Sequence, residues 1–139
     1  IADVNEDMER RKKVRIAVDI VNTLAANEYE EIFTINAFTG EPVVYKEGIS
    51  KVIEEQNKVG FKLGVENYMK TYCMDENPEQ TAKELNLDYV KEQLENNNTY
   101  QKIYSIMDEN NNIKMKRAFY TYLNKHKDTI VCTIMEVGK

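Results

Sequence analysis

Tryptophan is absent from this chain, histidine occurs once, and cysteine and proline occur twice each. The lone histidine, His126, lies in the polar run Lys125-His126-Lys127-Asp128. It has no acidic or cysteine companion at metal-ligand spacing, so neither a zinc site nor histidine acid–base chemistry can be built on it, and it reads as an exposed turn residue. Cys73 and Cys132 do not form a C-x-x-C pair, which excludes a dithiol redox motif and fits a reduced, cytoplasmic setting. No apolar run approaches the ~18–20 residues of a membrane span, and no secretory signal pattern is present, so no membrane contact by this segment is expected. The opening at Ile1 rather than methionine leads to the expectation of a piece cut from a longer protein, whose membrane anchor, if it has one, lies elsewhere. A net charge of −5 leaves no basic excess to neutralise phosphates, which argues against nucleic acid as a partner. The one basic run, Arg10-Arg11-Lys12-Lys13, follows Glu6, Asp7 and Glu9 at pairing distance along a helix and reads as a solvated face. Gly60 and Gly64 lack the flanking pattern of a phosphate loop. The 24 acidic residues are dispersed, with no paired carboxylates to serve as acid and base. The expectation is a chain without catalytic residues, bound metal or cofactor.

What is present is an ordinary core-forming composition, 42% hydrophobic and 31% charged, in 139 residues, which suffices for one domain. Asn5 is a good N-cap, and Glu6, Asp7 and Glu9 suit the positive end of a helix that should run to about Asn27. Val14, Ala17, Val18, Val21, Leu24 and Ala25 form one apolar stripe, while Ile16 and Ile20 fall on another side. A second apolar side suggests a partner chain, so Val14, Ile16, Ile20, Val21 and Leu24 are the candidate contacts of a weak parallel homodimer.

From Tyr29 the period changes. Glu30 to Phe38 and Val43 to Lys46 read as strands joined by turn chemistry at Thr39-Gly40-Glu41-Pro42. Ile49, Val52 and Ile53 suggest a short helix, and Val65, Tyr68, Met69, Tyr72 and Cys73 mark an amphipathic one. Asn77-Pro78-Glu79-Gln80 reads as a helix start, with Asn at the cap and Pro at the first position. Leu87, Val90 and Leu94 line a further helix, closed by Asn96-Asn97-Asn98. Thr99 to Asp108, Ile113 to Asn124 and Thr129 to Val137 then read as an antiparallel meander. In the last of these Ile130, Cys132 and Ile134 alternate with Val131, Met135 and Val137, the pattern of a strand buried on both faces in the middle of a sheet. The predicted fold class is α+β: five antiparallel strands with short helices on one face and the long N-terminal helix on the other.

That element order resembles the PAS domain. Ile1-Ala2-Asp3-Val4-Asn5-Glu6 is echoed by Ile134-Met135-Glu136-Val137-Gly138-Lys139, as though the chain were one unit of a tandem array. Asp3-Val4-Asn5 is similar to the Asp-Ile-Thr-like exit by which PAS domains pass their last strand into a signalling helix. Glu136-Val137-Gly138 is similar to the same exit, departing from it at Glu136 and Gly138. The hairpin Ile32-Phe33-Thr34-Ile35-Asn36 to Thr39-Gly40-Glu41 resembles the opening of bacterial sensory PAS domains upstream of diguanylate cyclase (GGDEF) modules. The resemblance divides the chain into a tail of a preceding unit (1–5), a linker or signalling helix (6–28) and the PAS-like domain (29–139).

It also implies a place for a small-molecule ligand, between helices and sheet. Tyr68 and Tyr72 share a helical face and are candidate ligand contacts, as are Arg117 and Phe119 if that strand face points inward. The alternative for Arg117 is an outward or ion-paired side chain, and for the tyrosines simple packing. Cys73 does not sit in the Asn-Cys-Arg-Phe-Leu-Gln pattern of light-sensing relatives, and both Cys73 and Cys132 read as core residues. The function implied is a sensory or signal-relay domain that couples ligand occupancy or packing changes to an output module in cis. The alternatives are a small α+β enzyme or carrier with a ligand cavity, and a pure dimerisation module.

Overall fold

A computed structural model describes residues 6–12, 14–16, 18, 29–46, 60–123 and 125–138. The elements run β1 (Glu31–Asn36), β2 (Pro42–Lys46), α1 (Phe61–Tyr72), α2 (Pro78–Leu85), α3 (Leu87–Asn96), β3 (Thr99–Met107), β4 (Ile113–Tyr122) and β5 (Thr129–Glu136). The strands form one antiparallel sheet in the order β2-β1-β5-β4-β3. With the helices inserted between β2 and β3, this is the PAS-like α+β sheet that the element order led one to expect.

The first hairpin forms as expected, but its turn begins earlier. Asn36 ends β1 because its Oδ1 accepts hydrogen bonds from the amides of Phe38 and Thr39, at 2.8 and 3.0 Å. Gly40 then takes φ +75°, the left-handed conformation that only glycine adopts without strain, and donates its N–H to the Asn36 carbonyl. At α2 the expected cap is present: Asn77 Oδ1 accepts from the Gln80 amide at 3.2 Å, with Pro78 at the first helical position.

The core lies between the helices and one face of the sheet. Phe33 and Ile35 from β1, Ile130, Cys132 and Ile134 from β5, Ala118 and Tyr120 from β4, and Tyr104 and Ile106 from β3 alternate onto that face. Against them pack Phe61, Val65, Tyr68 and Met69 of α1, Ala82 and Leu85 of α2, and Val90 and Leu94 of α3. β5 is indeed the central strand, fully buried on its inner side, with Val131 and Met135 half-buried on the other. One expectation needs correction: Cys73 is half-buried, not a core residue, because α1 stops at Tyr72. The chain is extended at Cys73, which forms a bridge with Ile106, and the Met74 amide then donates to the Ser105 carbonyl, covering part of the β3 edge.

Near the N-terminus, residues 6–12, 14–16 and 18 are helical. All of them are exposed, Val14 at 58% and Ile16 at 48%. Ala17, Ile20, Val21 and Leu24, and with them the expected docking of a long helix on the outer sheet face, lie outside the described residues. So does the short helix expected around Ile49, Val52 and Ile53.

Candidate functional site

The inner sheet face carries two groups of polar side chains. At one end Tyr100 and Tyr120 face each other across β3 and β4, stacked with ring centroids 5.8 Å apart. Their hydroxyls donate to the last carbonyls of α2, Tyr100 to Glu84 O at 2.9 Å and Tyr120 to Leu85 O at 3.3 Å. Those carbonyls have no partner within their own helix, so the tyrosines cap it and fasten it to the sheet. Lys102 adds an ion pair to Glu84 at 2.7 Å, and that hydrogen bond is the main reason the Glu84 carboxyl sits below its usual pKa.

The other end is ionic. Glu31 is the first residue of β1, on the same side as Phe33 and Ile35, and is 0% exposed. Burial is the largest cause raising its pKa from an ordinary 4.5 to about 8; the charge of Glu30 raises it further and that of Lys116 lowers it. Lys116 is 8% exposed, and its Nζ lies 2.6 Å from Glu30 Oε2. Nearby, Lys114 pairs with Glu136 at 3.4 Å. Tyr104 stands opposite Lys116 in the ladder and Cys132 opposite Tyr120; burial pushes both well above their ordinary pKa, and the charge of Glu31 adds to each shift.

The four candidate ligand contacts do not converge. Tyr68 and Tyr72 lie together on α1, with ring centroids 5.0 Å apart; Tyr68 is buried and Tyr72 half-buried. Arg117 and Phe119 occupy the opposite face of the sheet. Their neighbours Lys116, Ala118 and Tyr120 are the buried side of β4, and the Tyr120 hydroxyl reaches α2. The condition set for Arg117, that its face point inward, is therefore not met. Its half-buried side chain pairs across the ladder with Ile103 and Met135 instead.

His126 is exposed in its turn and Cys132 is buried, both as read from the sequence. Among the described residues, no group of three or more His, Cys, Asp and Glu side chains could hold a metal ion. No helix among them is long and apolar enough to cross a membrane. A groove of about 910 Å³ crosses the outer surface of α1, α2 and α3, lined by charges of both signs, among them Lys62, Glu66, Lys83 and Glu92. It lies away from the sheet and from Glu31.

Glu31 and Lys116 were missed among dispersed surface charges. The available signal was alternation: Glu31 keeps step with Phe33 and Ile35, and Lys116 with Ala118 and Tyr120, so each shares an apolar strand face.

No protein-family model matches the chain, and no curated protein matches it. Among solved structures, the chain is similar to the PAS domain of an HTR-like protein from Haloarcula marismortui. The TM-score is 0.47 and the identity 10%, over 94% of this chain and 99% of that one. The PAS-like assignment stands on this chain's own strand order and inserted helices, not on that distant likeness.

Proposed function

We propose that the chain is a non-catalytic sensory or signal-relay domain of PAS type, which passes changes in its packing to an output module in cis through its flanking segments. The observation that carries this reading is the junction of β1 and β5. Glu31 pairs with Ile134, and the Glu30 amide donates to the Ile134 carbonyl at 2.8 Å. The chain therefore enters the sheet on one interior strand and leaves it on the next, at the same end. A displacement of the sheet is delivered to both flanking segments together.

Packing changes are favoured over ligand occupancy as the input. Tyr68, Tyr104 and Tyr120 are each 3% exposed where helices and sheet meet, and a close-packed core transmits strain. A small-molecule ligand beside Tyr68 and Tyr72 is the second form of the same reading. The output module, a diguanylate cyclase or a histidine kinase, is suggested by the family resemblance alone. A weak homodimer through Val14, Ile16, Ile20, Val21 and Leu24 would let two copies relay together. The enzyme or carrier alternative asks for an acid–base residue facing a substrate, and Glu31 is instead enclosed by packed side chains.

The test is hydrogen exchange of the wild type against Ala118→Val, which crowds the centre of the inner face at a residue with no exposure. Faster exchange at Glu30, Ile134 and residues 6–18 is expected. Changes confined to β3 and β4 would defeat the relay reading. Sedimentation of Ile16→Glu, Ile20→Glu against the wild type tests the dimer, which fails if both are monomers at high concentration.

A further inference from the structure

The relay reading leaves open what sets the β1–β5 junction, and the buried ionic group lies on it. Glu31 pairs with Ile134 at the point of entry, and Lys116, two ladder positions from Ala118 on the same face, is bonded to Glu30. Glu30 is thus held twice: its backbone amide on β5 and its carboxylate on β4. The titratable and charged groups around Glu31 come from every neighbouring element. Among the described residues they are Glu30 beside it, Cys132 and Glu136 from β5, Lys116 and the Glu136-paired Lys114 from β4, Tyr104 from β3, and Tyr68 of α1 next to Tyr104. Lys114 is taken up by Glu136, so the cation that acts on Glu31 is Lys116, and two carboxyls, Glu30 and Glu31, stand close enough to feel it. In so little water an ionised Glu31 would compete strongly for that ammonium.

We propose that Glu31 is a proton-operated switch of the β1–β5 junction: neutral, it leaves Lys116 clamped to Glu30, and ionised, it draws Lys116 inward and releases the Glu30 side chain. The proton goes to a solvent base, and no covalent bond other than the O–H is broken. The Glu30 amide still binds Ile134 O, so release loosens the entry point without unpairing the strands. Burial supports the assignment, since it holds the carboxyl neutral up to about pH 8, where an exposed glutamate would have ionised near 4.5. The cue is therefore a rise in pH through the neutral-to-alkaline range. This switch rests on the relay reading for its consequence, but not for its chemistry.

The experiment is a pH titration by carbon-13 NMR of the side-chain carboxyls in the wild-type chain, with amide spectra recorded alongside. The Glu31 carboxyl should titrate near pH 8, and the amides of Glu30, Lys116 and Ile134 should shift with the same midpoint. Glu31→Gln, which fixes the neutral form, should abolish that amide transition. Lys116→Met should move the Glu31 midpoint upward by about one pH unit or more, because the stabilising cation is gone. A Glu31 midpoint in the ordinary carboxyl range, or junction amides that ignore it, overturns the switch. The wild-type titration decides this even if a variant fails to fold. Junction amides that titrate while residues 6–18 stay unchanged would confirm the switch and count against the relay.

Discussion

At the Tyr100–Tyr120 end of the inner sheet face, each tyrosine hydroxyl lands on a helix carbonyl that needs a donor. At the Glu31–Lys116 end, buried groups that can gain or lose protons meet one another. The first arrangement has one satisfied state over the whole ordinary pH range, since burial pushes both tyrosine pKa values further up. The second has two, and they differ by a proton. One end therefore fastens α2 to the sheet, and the other makes the packing of the sheet depend on solution conditions.

The comparison can be broken first at the aromatic end. Tyr120→Ala removes a ring that is 3% exposed and the cap it provides, and should cost about 3–5 kcal/mol in urea unfolding. A loss below 1 kcal/mol would mean the ring is not a core element. Next in size is the pH dependence at the ionic end. Between an unfolded pKa of 4.5 and a folded one of about 8, the unfolded chain has released the Glu31 proton and the folded chain still holds it. The stability contributed by this group should therefore be full below pH 4.5, fall as pH rises through that window, and level off above pH 8, a loss on the order of 3 kcal/mol or more. Glu31→Gln should remove that part of the decline, and an unchanged slope in the variant would assign it to other groups.

Smaller effects sharpen the contrast. Tyr100→Phe keeps the ring and deletes the donor to Glu84 O, and should cost about 1 kcal/mol with no change in pH dependence. A new pH dependence in that variant would make the aromatic end a titrating site after all. Lys102→Ala breaks a partly exposed ion pair with Glu84 and should cost less than about 1 kcal/mol, diminishing in high salt.

Much of the fold was legible because its signals are local. The Asn77-Pro78 start of α2 and the alternation of β5 depend on neighbours a few positions away, and each stands where the pattern placed it. The α1 face was legible up to Tyr72, but not the stop there, because Cys73 leaves the helix to bridge Ile106 far along the chain. Arg117 and Phe119 show the same limit. Their alternation with Ala118 was plain, yet which side met the helices depended on where the helices packed. Glu31 was hidden for a related reason: an acidic residue at the start of a strand is ordinarily solvated, and only the packing of β1 against distant strands encloses it.

By itself the sequence determined the element order, the antiparallel α+β class and the spacing of the apolar faces, because hydrogen-bonded turns, caps and side-chain periodicity are short-range. The tertiary structure alone decided the strand order, the inward side of β4 and the burial of Glu31 beside Lys116. Those depend on which distant segments exclude water from one another. A carboxyl pKa near 8 is a property of that enclosure and not of any stretch of residues.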